Sequence, residues 1–246
     1  MGYPKRPRQR PTTPLADPWT ICQPSMLIAR GLSCARGDRV LFRALDLTVP
    51  EASLTQVQGR NGTGKTSLLR MLVGLAAPRE GVLSWRGQPV SGAAHSAPDP
   101  LAVEQFRRDT LYLAHANGIK QDLDAAENLR FACHMGGEYP RTDEVQGALD
   151  RCAIGERARV PVARLSHGQQ RRVALARLAL SRKALWVLDE PFVALDSLAL
   201  AMLCALLAEH LRRGGIVILT THQAVELGGI TPQRIDLDDP RYQVAR

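Results

Sequence analysis

Apolar positions in this chain fall into short, dense runs separated by turn residues, and the runs change character along its length. Met26-Leu27-Ile28-Ala29 and Arg39-Val40-Leu41-Phe42 predict two early strands. Leu45-Asp46-Leu47-Thr48-Val49 alternates apolar and polar, the period of a half-buried strand. Leu54 to Val57 predicts a further strand, and Ser67 to Val73 a helix. Pro78-Arg79-Glu80-Gly81 reads as a turn, Val82 to Trp85 as a short strand, Arg86-Gly87-Gln88-Pro89 as a second turn, and residues 91 to 100 as a surface loop. Thr110 to Ala114 reads as a buried strand ending at His115.

From about 116 to 165 the strand signal stops. Ala125 to Met135 and Glu144 to Arg151 have helical spacing, with Gly136-Gly137 between them, which predicts a helical insertion. Gln169 to Leu180 and Leu198 to Leu211 predict two further helices, the second closed by Gly214-Gly215. Ala184 to Leu188 and Ile216 to Thr221 are continuous apolar runs, as in strands covered on both faces. Strands alternating with helices imply an α/β core with a mainly parallel sheet.

Residues 1 to 25 carry Pro, Arg and Thr without apolar period, and are expected to be a disordered basic tail. Residues 26 to 246 are expected to form one domain, with a helical subdomain at about 116 to 165. The net charge is +8, part of it in Lys5, Arg6, Arg8 and Arg10. That balance permits nucleic acid, anionic lipid or nucleotide phosphates as partners and does not choose among them. The five cysteines form no C-x-x-C pair, which fits a reducing compartment and no metal knuckle. The longest apolar run, Leu198 to Ala208, is far short of the roughly 20 residues of a span. Work at a membrane would therefore need another chain to cross it.

The candidate chemistry centres on Gly59-Arg60-Asn61-Gly62-Thr63-Gly64-Lys65-Thr66, a phosphate-binding loop between a strand and a helix. Glycines let successive backbone N–H groups curl toward phosphate oxygens, Lys65 adds a point charge, and the Thr66 hydroxyl is suited to Mg2+. Leu185 to Asp189 places a carboxylate at the end of an apolar strand, where it can hold Mg2+ directly or through water. The adjacent Glu190 suits the orientation or deprotonation of a water. Leu165-Ser166-His167-Gly168-Gln169-Gln170 opens the strong helix with an anion-friendly start.

In this order, the segments resemble the ATP-binding cassette family of ATPases. The resemblance spans about residues 26 to 230 and adds Ala194-Leu195-Asp196 as the D-loop and His222 as the switch histidine. It implies an α/β P-loop core with an antiparallel β subdomain and a helical insertion. It implies ATP and Mg2+ as cofactors, Thr66 and Asp189 as metal ligands, Glu190 as general base and His222 on the γ-phosphate. The resemblance implies that His115 stands at the strand-end position through which Mg2+ and the membrane partner are sensed. Ser166 and Gly168 would reach the nucleotide of a second copy, with Gln169 and Asp196 beside them. A nucleotide-sandwich dimer is therefore implied. Three positions depart from the usual pattern: His167 replaces glycine, His115 replaces glutamine, and Arg36 stands where an aromatic would stack on adenine, leaving Phe42 as a weak candidate for that role.

The stretch Leu111-Tyr112-Leu113-Ala114-His115-Ala116-Asn117-Gly118-Ile119-Lys120, followed by Ala126-Glu127-Asn128-Leu129-Arg130-Phe131, is similar to the ATP-binding subunits of bacterial haem exporters of cytochrome c maturation, as are Arg39 to Phe42 and Gly168 to Leu178. That resemblance implies an ATPase on the cytoplasmic face of the inner membrane, held by integral membrane subunits. It further implies that ATP binding and hydrolysis are coupled to haem delivery or release for periplasmic cytochrome c assembly. No His or Cys arrangement reads as a haem site on this chain, and no nucleic-acid partner is expected. Two alternatives share the same site: the ATPase of another transporter, and a nucleic-acid-acting cassette protein without a membrane partner.

Overall fold

In the computed structural model, residues 25–93, 98–221, 227 and 229–243 are described. The expected basic tail falls almost wholly outside them, and so does His222.

The chain opens with two long antiparallel strands, β1 (Ser25–Arg36) and β2 (Arg39–Pro50). The two early segments at 39–42 and 45–49 are one strand, not two. Ala44 takes a positive φ of 50° in the middle of β2, and the register against β1 shifts there, so a bulge carries the pairing through the polar break. After β3 (Leu54–Gln58) and the helix α1 (Lys65–Leu72) come β4 (Glu80–Trp85) and β5 (Gln88–Gly92). The expected turn at 86–89 is therefore shorter, and part of the expected loop is strand. β5 lies at the edge of the sheet β2-β1-β4-β5, where Pro89 is tolerated because one side needs no ladder bond.

The expected loop up to residue 100 also gives way to a helix, α2 (Pro100–Asp109). The Asp99 side chain caps it by accepting from the Leu101 N–H, and Pro100 occupies its first turn. Only Phe106 of this helix is buried, so its apolar period is too weak to see in sequence.

The second sheet contains β6 (Thr110–Leu113), β7 (Leu185–Leu188), β8 (Ile216–Thr220) and β9 (Gln233–Asp236), with β3 between β8 and β9. Its order is β6-β7-β8-β3-β9, and every pair is parallel. Between β6 and β7 lie α3 (Ala125–Met135), α4 (Thr142–Arg151) and α5 (His167–Leu180); α6 (Ser197–Arg212) precedes β8.

Two apolar cores meet at this sheet. Leu185, Val187, Ile216 and Ile218 face one core, with α1 and the antiparallel sheet. Trp186, Leu188, Val217 and Leu219 face the other, with the helices α3 to α6. Alternate residues serving opposite cores explain why these strands read as continuous apolar runs. Leu68 and Leu69 of α1 are fully buried, and truncating either to Ala would cost about 2–5 kcal/mol. Cys34, Cys133 and Cys152 are buried free thiols; burial pushes Cys133 and Cys152 up to about 11, so they pack as apolar groups.

Candidate functional site

β3 delivers the chain to Gly59, and α1 begins at Lys65, so the phosphate loop bridges a strand end and a helix start. Two glycines are required by geometry. Gly59 has φ 139°, and a Cβ there would meet the Thr63 hydroxyl at 2.8 Å. Gly64 has φ 107° and lies against Leu41 and Phe42, where a Cβ would approach at 3.2 Å. Gly64 caps α1 without a side-chain acceptor, which leaves the first-turn N–H groups to an anion. The buried Lys65 Nζ donates to Gly59 O at 2.6 Å and Arg60 O at 3.2 Å, so the ammonium lies folded into the loop. Thr63 Oγ1 donates to Arg60 O and closes the turn around Asn61 and Gly62.

The parallel sheet brings the acids to this loop. Asp189 leaves the end of β7, its N–H bonded to Leu113 O of β6 at 2.8 Å. It is 3% exposed, and both carboxylate oxygens are engaged. Oδ2 accepts from the Thr66 hydroxyl at 2.8 Å, and Oδ1 from the Thr220 hydroxyl at 2.7 Å. The Thr220 hydroxyl in turn accepts from the Glu190 N–H at 2.8 Å. A single hydroxyl at the end of β8 thus fixes the buried carboxylate and the backbone of the next residue. Thr66 and Asp189 form an oxygen donor set of the hard kind that suits Mg2+. Among the described residues no cluster of three His, Cys, Asp or Glu could hold a metal ion.

Glu190 has φ 49°, a left-handed backbone for a non-glycine residue, of the kind that costs about 1–3 kcal/mol and persists only when neighbours impose it. Its carboxylate reaches His115, with Nδ1 3.5 Å from Oε2, and is about a quarter exposed. Its carbonyl accepts from Arg171 Nη2 at 3.1 Å.

Ser166, Gly168, Gln169 and Asp196 gather elsewhere. They line a cavity of about 630 Å3 with Asp150 and Arg172, and no phosphate-loop residue contributes to it. Ser166 caps α5: its hydroxyl accepts from the Gln169 N–H, and Gln169 Oε1 accepts from the Ser166 N–H. Asp196 caps α6 and accepts from Arg172 Nη2 at 2.5 Å. The Ala199 N–H first, and Arg172 second, hold the Asp196 carboxyl below its ordinary value. The fold therefore divides the sequence-predicted residues into two half-sites, one around Lys65 and Asp189, the other around Ser166 and Asp196.

Sequence reading missed three contributors. Thr220 read only as a strand end, and Arg171 only as part of a helix. Asp238 was unassigned; it accepts from the Arg60 N–H at 2.7 Å and pairs with the Arg60 guanidinium, tying the loop to the segment after β9. The alternation Arg234-Ile235-Asp236-Leu237 was the available signal for β9.

A parallel sheet that joins a phosphate loop to a strand-end acid pair, with a capped signature helix set apart, defines an ATP-binding cassette ATPase. The ABC transporter family model matches residues 42–193, and the chain belongs to that family. It is 45% identical over 87% of its length to the cytochrome c biogenesis ATP-binding export protein CcmA of Aromatoleum aromaticum, covering 96% of that protein. The protein of the same name from Cupriavidus necator is 44% identical over 92% of this chain and 97% of its own. Among solved structures, a putative ABC transporter ATP-binding protein from Pyrococcus furiosus superimposes with a TM-score of 0.73 at 22% identity, covering 89% of this chain and all of that one. A dimeric ATP-binding cassette in a post-hydrolysis state with ADP and Pi gives 0.68 at 21% identity, covering 80% and 88%. These structural likenesses concern the fold. The chain is an ATP-binding subunit with ATPase chemistry.

Proposed function

We propose that this chain is the ATP-hydrolysing subunit of the haem exporter of cytochrome c maturation, working on the cytoplasmic face of the bacterial inner membrane. The observation that carries the reading is the Thr66–Asp189–Thr220 hydrogen-bond chain beside Glu190, with Asp189 and Thr220 buried, in a protein 42–45% identical to cytochrome c biogenesis export proteins. Residues 26 to 246 act as one ATPase unit, with the helices at 116 to 165 as its subdomain.

In this reading, Gly59 to Thr66 cradle the β- and γ-phosphates, and Lys65 unfolds from the Gly59 and Arg60 carbonyls to the phosphate oxygens. Thr66 and Asp189 would hold Mg2+, which when bound offsets phosphate charge. Glu190 orients the attacking water and takes its proton. His222 contacts the γ-phosphate. Ser166 and Gly168, flanked by Gln169 and Asp196, serve the nucleotide of a second copy. Two such chains complete two sites, because each half-site lacks the other's residues.

A groove of about 150 Å3 lies beside His115, lined by Ala116, Asn117, Gly118, Ile119, Leu129 and Ala132. Its walls, apolar at Ile119, Leu129 and Ala132 and polar at Asn117, Asn128 and Arg177, suit a cytoplasmic helix of an integral membrane subunit. None of the helices among the described residues is long and apolar enough to cross a membrane, so that subunit would supply the span.

The test is haem-stained c-type cytochrome in a host whose copy carries Lys65→Ala. Loss of the stained bands with the apoproteins still made supports the reading. Normal bands would leave the ATPase intact and assign it to another cargo.

A further inference from the structure

Arg171 is the one described arginine that is almost fully buried, at 5% exposure, and it lies five residues into α5 after the Ser166 cap. Its two terminal nitrogens go to different functional segments. Nη1 donates to Asn117 Oδ1 at 2.8 Å, and Nη2 donates to the Glu190 carbonyl at 3.1 Å. Its Nε is buried with no hydrogen-bond partner among the described residues. A guanidinium in such a place is costly unless its remaining bonds are strong. Burial pulls its pKa down and the nearby Asp189 carboxylate opposes that, so the group stays charged.

The two acceptors are not equivalent. Asn117 is half-buried and lines the groove at 116–119. Glu190 holds a left-handed backbone, and its two flanking amides are fixed from opposite sides, by Thr220 at the N–H and Arg171 at the carbonyl. We propose that Arg171 is a positioning residue: its planar fork couples the groove at Asn117 to the backbone setting of Glu190. A helix seated in the groove that draws Asn117 away frees one arm of the fork. The other arm then moves or carries the load alone, and Glu190 relaxes from its imposed φ. The catalytic carboxylate is thereby aimed or released according to what occupies the groove. The inference rests on reading Glu190 as the general base.

The experiment is single-turnover ATP hydrolysis by the full-length chain, with rate and half-saturating ATP measured separately for Asn117→Ala, Asn117→Asp, Arg171→Gln and Glu190→Gln. Asn117→Ala is expected to slow hydrolysis about tenfold with half-saturating ATP within about twofold, because the link acts on the chemical step. Asn117→Asp restores an acceptor and is expected to return the rate to within about twofold of wild type. Arg171→Gln is expected to match Asn117→Ala, and the double variant to be no slower than either, as residues of one network are non-additive. Because Asn117 is only half-buried, its two variants decide the matter even if Arg171→Gln fails to fold. Wild-type rate in Asn117→Ala overturns the coupling, as does an equal slowing in Asn117→Asp or a loss confined to ATP affinity. Wild-type hydrolysis in Glu190→Gln is a different failure: it removes the general-base assignment itself.

Discussion

His115 Nδ1 lies 3.5 Å from Glu190 Oε2, joining the end of β6 to the residue after the strand-end aspartate. The histidine side chain is about two-thirds exposed, while the glutamate is mostly covered. The contact therefore links the base to a surface position beside the groove rather than to the core. Glu190→Gln is expected to keep ATP affinity and lose roughly a hundredfold or more in turnover, the scale of a lost general base. His115→Ala removes the 3.5 Å contact and leaves the carboxylate in place, and is expected to lose only about threefold to tenfold. A phosphate-release assay beside equilibrium nucleotide binding separates the two; a His115→Ala loss as deep as that of Glu190→Gln would make the histidine a reacting group.

Lys65 donates to two of the loop's own carbonyls, at 2.6 Å and 3.2 Å, so its removal withdraws both a phosphate-binding charge and a loop constraint. Lys65→Ala is expected to weaken ATP binding about a hundredfold, the size of one or two charge-assisted hydrogen bonds. Isothermal titration with ATP checks it, and unchanged affinity would count against the phosphate-loop assignment.

Thr220→Val keeps the shape of a fully buried side chain and deletes its hydroxyl. Asp189 Oδ1 loses its donor and the Glu190 N–H its acceptor in one step. The expected cost is about 1–3 kcal/mol of stability, from buried polar groups left unpaired. Hydrolysis should slow as well, while ATP affinity, set mainly at residues 59–66, holds. Urea unfolding and single-turnover kinetics on the same preparation test both halves.

The phosphate loop, the acid pair and the signature segment were visible in sequence because each is local: the chemistry sits in eight or fewer consecutive residues. The central strands were visible because both faces are buried, which leaves an unbroken apolar run. What escaped is what depends on single burials or on distant partners. β5, α2 and β9 each bury one side chain, Val90, Phe106 and Ile235, too few to set a period. The β2 bulge at Ala44 looked like a gap between strands. Thr220 and Arg171 carry ordinary side chains in ordinary elements. Their roles arise only when β7, β8 and α5 meet at Glu190.

His210 gives a pH prediction remote from the site. It is buried in α6, stacks on Trp186 with ring centroids 3.8 Å apart and planes within 5°, and its Nε2 lies 3.3 Å from Ile216 O. Gly215 makes room for it, since a Cβ there would fall 2.2 Å from the ring. Burial is the largest cause lowering its pKa from 6.5 to about 4, with the Ile216 and Ala184 carbonyls opposing. The unfolded chain therefore binds this proton at a higher pH than the folded one. Its contribution to stability is present above about pH 6.5 and is lost as pH falls toward 4, by roughly 3 kcal/mol in all. Urea midpoints measured between pH 4 and 7 should rise with pH across that window. His210→Phe keeps an aromatic ring against Trp186 and removes the proton; it should flatten the rise whatever it does to the midpoint at neutral pH. An undiminished slope in that variant would place the titration in other groups and leave His210 a packing residue alone.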